Sequence, residues 1–153
     1  MLKTKIPWAD FTINPVKGLC PVACKDDQGK EYCYARRMYR RFKWDPKIRY
    51  DHNCLVDLTT IKKPSRIFVG STMELFGEWI DPMFLTLIFR VCGNFPQHTF
   101  IFLTKKPENL LRWSPLSPNC WIGASATNRD MMLRACRELA KVEAKVKFLS
   151  IEP

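Results

Sequence analysis

Cys20, Cys24 and Cys33 follow the spacing C-x3-C-x8-C within a short segment that runs from Gly18 to Arg37. Thiolates are soft ligands that favour iron–sulfur clusters, zinc and copper(I). Three of them in one loop can hold three irons of a four-iron–four-sulfur cluster and leave the fourth iron open to a small molecule. The neighbouring cations Lys25, Lys30 and Arg36 favour the thiolate form. The same sulfurs suit zinc if His52 or Cys54 supplies a fourth ligand. Against zinc, the paired C-x2-C knuckles of zinc ribbons do not occur. Plain packing of small apolar side chains is the third reading, and the residues alone leave all three open. Cys54, Cys92, Cys120 and Cys136 stand in apolar or helical contexts and read as core residues.

The elements that must position these sulfurs follow from the rest of the chain. Its 153 residues and 46% hydrophobic content suit one domain with a core, and 26% charged residues argue against wholesale disorder. Short apolar runs rich in β-branched and aromatic residues occur at Arg66–Gly70, Thr99–Thr104, Cys120–Ala124 and Val146–Ile151, with an earlier one near Asp10–Asn14. They read as strands buried on both faces. Asp81-Pro82 is a helix start, followed by Met83, Phe84, Leu87, Ile88 and Val91 at helical spacing up to Gly93. Pro107 opens a shorter helix through Leu110 and Leu111. Asn128 caps another, with Met132, Ala135, Cys136, Leu139 and Ala140 on one face. Strands alternating with helices give an α/β fold: a parallel sheet of about five strands, barrel-like but partial. The chain ends on Ile151-Glu-Pro directly after a strand, so a C-terminally truncated form of a longer protein is expected. The reading is one domain over 1–153, with a cysteine loop at 18–35 and β/α units over 66–153.

In such folds ligands bind beyond the carboxyl ends of the strands. The residues at these exits are polar: Ser71, Thr72 and Glu74, then Thr104 and Lys105, then Ser125, Thr127 and Asn128, and finally Ser150 and Glu152. Following the cysteines, the segment Tyr34–Arg49 holds Arg36, Arg37, Arg40, Arg41, Lys43, Lys47 and Arg49 against Asp45 alone. As a helix it puts Tyr34, Met38 and Phe42 on one face. Arginine forks suit phosphate, and Tyr39, Phe42 and Trp44 could stack on bases. A solvated helix face is the plain alternative.

The net charge is +10, from 25 Lys and Arg against 15 Asp and Glu. It favours phosphate-rich partners without requiring them. Seven cysteines are an odd number for a disulfide framework, no apolar leader follows the first residues, and the apolar run Met83–Phe89 is too short to cross a bilayer. A soluble cytoplasmic protein with no membrane partner is therefore expected. With only His52 and His98, and no Walker loop or Gly-x-Ser-x-Gly elbow, hydrolase chemistry has little support.

Several blocks together resemble the bacteriophage-associated three-cysteine-motif proteins, a family similar in pattern to radical S-adenosylmethionine (radical-SAM) enzymes. They are Trp8–Pro15, Cys-Pro-Val-Ala-Cys, Tyr-Cys-Tyr-Ala-Arg-Arg, Phe68–Phe76, Leu103–Pro107 and Phe148–Pro153. The radical-SAM pattern is C-x3-C-x2-C with an aromatic residue before the third cysteine. Here the first gap fits and Tyr32 holds the aromatic position, but the second gap is eight residues. A turn through Lys25–Glu31 must bulge out to return Cys33 to the centre.

The resemblance implies a four-iron–four-sulfur cluster on Cys20, Cys24 and Cys33, and S-adenosylmethionine held by Tyr32, Ser71, Glu74, Ser125, Asn128 and Glu152. It implies that Glu74 pairs with the ammonium of the cofactor's methionine, and that the cofactor is cleaved reductively on an unidentified substrate. Whether the chain is an enzyme stays open. The rival reading is a non-catalytic, zinc-stabilised module that binds nucleic acid through Arg36, Arg37, Arg40 and Arg41. The expected partners are nucleic acid or another phosphate-bearing substrate, and a protein at an open sheet edge.

Overall fold

The computed structural model describes residues 2–26 and 28–151. The first strands are β1 (Leu2–Lys3), β2 (Phe11–Ile13) and β3 (Val16–Lys17), followed by helix α1 (Tyr34–Phe42) and strand β4 (Arg49–Tyr50). A short helix α2 (Asn53–Val56) and a 3-10 turn lead to β5 (Arg66–Val69). Then α3 (Pro82–Gly93), β6 (Thr99–Thr104), β7 (Cys120–Ala126), α4 (Arg129–Ala140) and β8 (Lys147–Ile151) complete the alternation.

One sheet has the order β1-β2-β5-β6-β7-β8, in which β1 runs antiparallel to β2 and the other five strands are parallel. The α/β architecture with five parallel strands is thus the one the apolar runs indicate. Phe100, Phe102, Ile67 and Ile122 are fully buried. Each contributes about 1.5–3 kcal/mol by leaving water.

Asp81 accepts a hydrogen bond from the Met83 amide at 2.9 Å, and Asn128 from the Met131 amide at 2.9 Å. Both expected helix starts are therefore real caps. The buried faces differ from the expected ones. In α3 the seam is Leu85, Ile88 and Cys92, with Met83 exposed. Nearly every position of this helix is apolar, so the period does not single out a face. In α4 the seam is Ala135 and Leu139, which leaves Cys136 exposed, not in the core; adjacent helix positions point about 100° apart. The segment after Pro107 makes two 3-10 turns, Pro107–Asn109 and Leu111–Trp113, instead of a short α-helix.

Strands β3 and β4 pair antiparallel, Val16 opposite Tyr50 and Lys17 opposite Arg49, and Lys17 forms an ion pair with Asp51. This small clip joins the two ends of the excursion that carries the cysteine loop and α1. No helix among the described residues is long and apolar enough to cross a membrane.

His98 is buried beside Phe95 and Phe100. Burial pushes its pKa down, partly offset by the influence of the Ile61 backbone. The unfolded chain therefore takes up this proton first, and stability falls as pH drops through the ordinary histidine value of about 6.5. Urea unfolding at pH 7.5 and 5.5 should show that the parent's midpoint falls more, relative to that of His98→Leu, at the acid value.

Candidate functional site

The parallel strands end together, and a cleft of about 380 Å³ opens over their carboxyl ends. Its walls include the apolar side chains Trp8, Val22, Phe68, Met73 and Leu103. Cys20, Cys24 and Cys33 all line it.

The long second gap folds as the expected turn. The Tyr32 amide donates to the Cys24 carbonyl at 3.1 Å, Lys25 and Glu31 form an antiparallel bridge, and the Asp26 amide donates to the Lys30 carbonyl at 3.0 Å. Asp26 Oδ1 accepts from the amides of Gln28 and Lys30, and Gly29 supplies the positive φ the turn needs. This hairpin sets Cys33 beside Cys24.

Two further ties fix the loop. The Arg36 guanidinium donates to the carbonyls of Cys20 (2.8 Å) and Pro21 (3.3 Å). The Gly18 amide donates to the Tyr39 hydroxyl at 2.7 Å. Gly18 has φ +127°, and a Cβ there would stand 2.7 Å from Ile48 Cα. Gly18→Ala should therefore strain the backbone and lower stability by about 1–3 kcal/mol, measured as a shift in the urea midpoint.

All seven cysteines are free thiols. The Cys24 thiol is pushed well above its ordinary pKa, first by its hydrogen bond with Cys33 and then by burial, while Lys105 opposes the shift. Cys33 is shifted down by the same hydrogen bond, helped by the Ala35 and Arg36 amides at the start of α1 and by the Arg36 charge. Burial raises Cys20, whose sulfur accepts from the Glu74 amide at 3.4 Å. The titrations of Cys24 and Cys33 thus depend on each other, and Cys20 acts on both through space. Among the described residues the three sulfurs do not close into a ready-made metal-holding group. Their chemistry suits a soft metal centre: three free thiols at one cleft, with N–H donors and cations around them. Neither His52 nor Cys54 lines the cleft to complete a zinc set.

Of the residues expected to hold a cofactor, Tyr32, Ser71, Glu74 and Ser125 line the cleft. Ser125 and Ser150 are register partners on β7 and β8, and both reach it. Asn128 does not line it; its side chain caps α4. Glu152 lies outside the described residues.

Glu74 is 7% exposed. Its Oε1 accepts from Thr104 Oγ1 (2.6 Å) and the Phe76 amide (3.1 Å), and its Oε2 from the Lys105 amide (2.7 Å). The carboxylate is therefore a brace between the exits of β5 and β6. Burial raises its pKa and these donors oppose the rise.

Lys105 Nζ stands 3.3 Å from the Tyr32 hydroxyl. Asn14, at the exit of β2, exchanges hydrogen bonds with Ser71 and accepts from the Thr72 amide at 3.0 Å. Asn14 was not distinguished in the sequence as a site residue; its position directly after a strand was the available signal. Among the arginines, Arg36 is tied to the cysteine loop and Arg40 pairs with Glu31 at 2.9 Å, whereas Arg37 and Arg41 are exposed.

The chain is thus a parallel β/α sheet that presents three thiols and a set of polar strand exits at its carboxyl end. The chain belongs to the family described as "Protein of unknown function (DUF5131)", which matches residues 3–153. No curated protein matches it. Among solved structures, it is similar to a spore photoproduct lyase variant with bound AdoMet and dinucleoside spore photoproduct. The TM-score is 0.69 at 19% identity, over 97% of this chain and 47% of that one. A spore photoproduct lyase complexed with dinucleoside spore photoproduct gives 0.66 at 20% identity, over 95% of this chain and 46% of that one. The chain thus spans just under half the length of those lyases, and what it shares with them is the fold.

Proposed function

We propose that this chain carries the cluster and cofactor site of a radical-SAM protein, with Cys20, Cys24 and Cys33 as iron ligands and S-adenosylmethionine in the adjoining cleft. The observation that carries the reading is the meeting of the three thiols and the polar strand exits at one opening. A four-iron–four-sulfur cluster, when bound, supplies the electron for cleaving a carbon–sulfur bond of S-adenosylmethionine.

The chain's own residues do the rest. Trp8, Phe68 and Met73 exclude water. Tyr32, Ser71 and Ser125 offer hydrogen bonds to a polar cofactor. Lys105 presents a cation suited to its carboxylate. Glu74, already held by internal donors, acts by fixing the Lys105 backbone.

The solved lyases bind a dinucleoside photoproduct, and with the +10 charge this makes a nucleic-acid substrate the best-supported class. The reading places the protein in the reducing cytoplasm. Its phage association rests on the sequence blocks alone. Anaerobic reconstitution with iron and sulfide should give a brown protein with about four irons per chain, and S-adenosylmethionine should bind it in equilibrium dialysis. Stoichiometric zinc with no iron uptake overturns the reading.

A further inference from the structure

The exposed side of α1 and the bend after it are not used by the cleft. Lys43 ends the helix in the left-handed region (φ +50°) and turns the chain back. Trp44 consequently stacks on Phe42, with ring centroids 5.4 Å apart and planes 21° apart. Phe42 is 51% exposed and Trp44 44%. Large stacked rings in water cost free energy unless something covers them.

This pair is held in place. Trp44 meets Tyr39 edge-on at 5.3 Å, and the Tyr39 hydroxyl is anchored by the Gly18 amide. The Arg41 guanidinium lies 5.4 Å from the Phe42 ring centre. Arg37, one turn earlier, flanks the same stripe. Lys43 and Lys47, in the bend that follows the helix, are exposed, while Asp45 is engaged by Arg49 at 3.1 Å. Among the described residues no carboxylate forms a salt bridge with Arg37, Arg41, Lys43 or Lys47.

The stripe also has a direction. Tyr34, Met38 and Phe42 succeed one another along one face of α1, and Tyr34 lines the cleft. From Tyr34 to Phe42 is about 12 Å at 1.5 Å per residue. That matches three to four stacked nucleotides at about 3.4 Å each.

The geometry points to a track for single-stranded nucleic acid along α1: bases stack on Phe42 and Trp44, Arg37, Arg41, Lys43 and Lys47 meet the phosphates, and the strand leads past Tyr34 into the cleft. Flat exposed rings interleaved with unpaired cations suit unpaired bases on a phosphate backbone, whereas a duplex hides its base faces. This rests on the proposed function and narrows its nucleic-acid substrate to a single strand with a defined path on the surface. Binding to metal-free protein tests it, so its failure is separable from failure of the cysteine centre.

The test is fluorescence anisotropy of a labelled oligothymidylate of about 12 nucleotides with the full chain. Phe42→Ala and Trp44→Ala should each weaken binding about tenfold. Arg37→Gln with Arg41→Gln should lower the slope of log affinity against log salt by about 1.4, the loss of two phosphate contacts on a single strand. Arg134→Gln with Arg137→Gln on α4 removes the same charge and should change neither affinity nor slope by as much. Circular dichroism checks that each variant is folded. Equal affinity for duplex or for polyglutamate, unchanged binding in the aromatic variants, or equal losses in the α4 control overturns the proposal.

Discussion

Replacing Cys20, Cys24 or Cys33 singly by Ala will abolish most iron retention after anaerobic reconstitution, while Cys54→Ala and Cys136→Ala will leave it intact. The contrast follows from where each thiol stands. The first three face one cleft, where the hydrogen bond with Cys24 and the Ala35 and Arg36 amides favour the thiolate of Cys33. Cys54 does not line the cleft, and its thiol donates to the Asp51 carbonyl at 3.3 Å, so it stands apart from the three sulfurs. Cys136 lies on the solvent side of α4. A cluster with three protein ligands cannot be held firmly by two, so the loss should be nearly complete in each variant. Iron and sulfide analysis of desalted protein measures it. Cys24→Ala and Cys33→Ala should unfold within about 1 kcal/mol of the parent in the metal-free state, because neither side chain is in the core. Retention of iron in all three variants would exclude this centre.

The strands were legible because parallel strands buried on both faces write themselves as short apolar runs. Thr99–Thr104 is the plainest, and it occupies the middle of the sheet. Helix starts were legible where the cap chemistry is local, at Asp81 and Asn128. The return of Cys33 was legible as a need, since Asp26 and Gly29 are turn residues inside the second gap.

What was not legible depended on long-range partners. Arg36 looks in sequence like one of four similar arginines, yet only it reaches the Cys20 carbonyl, which lies 16 positions earlier. The β3–β4 clip rests on two-residue strands that carry no periodic signal. The apolar face of α3 could not be chosen because almost every residue there is apolar. Glu74 was visible as an acid after a strand, but its internal donors come from Phe76, Thr104 and Lys105, two of them on another strand's exit.

Those donors set the second large effect. Glu74→Leu should destabilise the protein by on the order of 4 kcal/mol, because it leaves the Thr104 hydroxyl and the Phe76 and Lys105 amides without their acceptor at a largely buried position on the wall of the cleft. For a chain of this size that corresponds to a fall in Tm of about 10 °C. Glu74→Gln should cost less but not nothing. Its amide can still accept on one side, yet whichever way it is turned an NH2 faces a backbone N–H. Thr104→Val removes one donor to the carboxylate, which keeps two, and also the acceptor of the Lys106 amide at 2.8 Å, so it should cost about 1–3 kcal/mol.

The pH response follows from the raised pKa of Glu74. The folded state holds this proton more tightly than the unfolded chain, so the linked stability is full below the ordinary carboxyl value and is lost as pH rises through the folded value. Glu74→Gln removes that titration, so the difference in unfolding free energy between parent and variant should depend on pH in the window just above the ordinary carboxyl range. A brace of this kind also fixes Lys105 relative to Tyr32 and the cysteines. Loss of S-adenosylmethionine affinity in Glu74→Gln at a temperature where it remains folded would show that the brace serves the cleft, and equal affinity with lowered stability would confine Glu74 to holding β5 and β6 together.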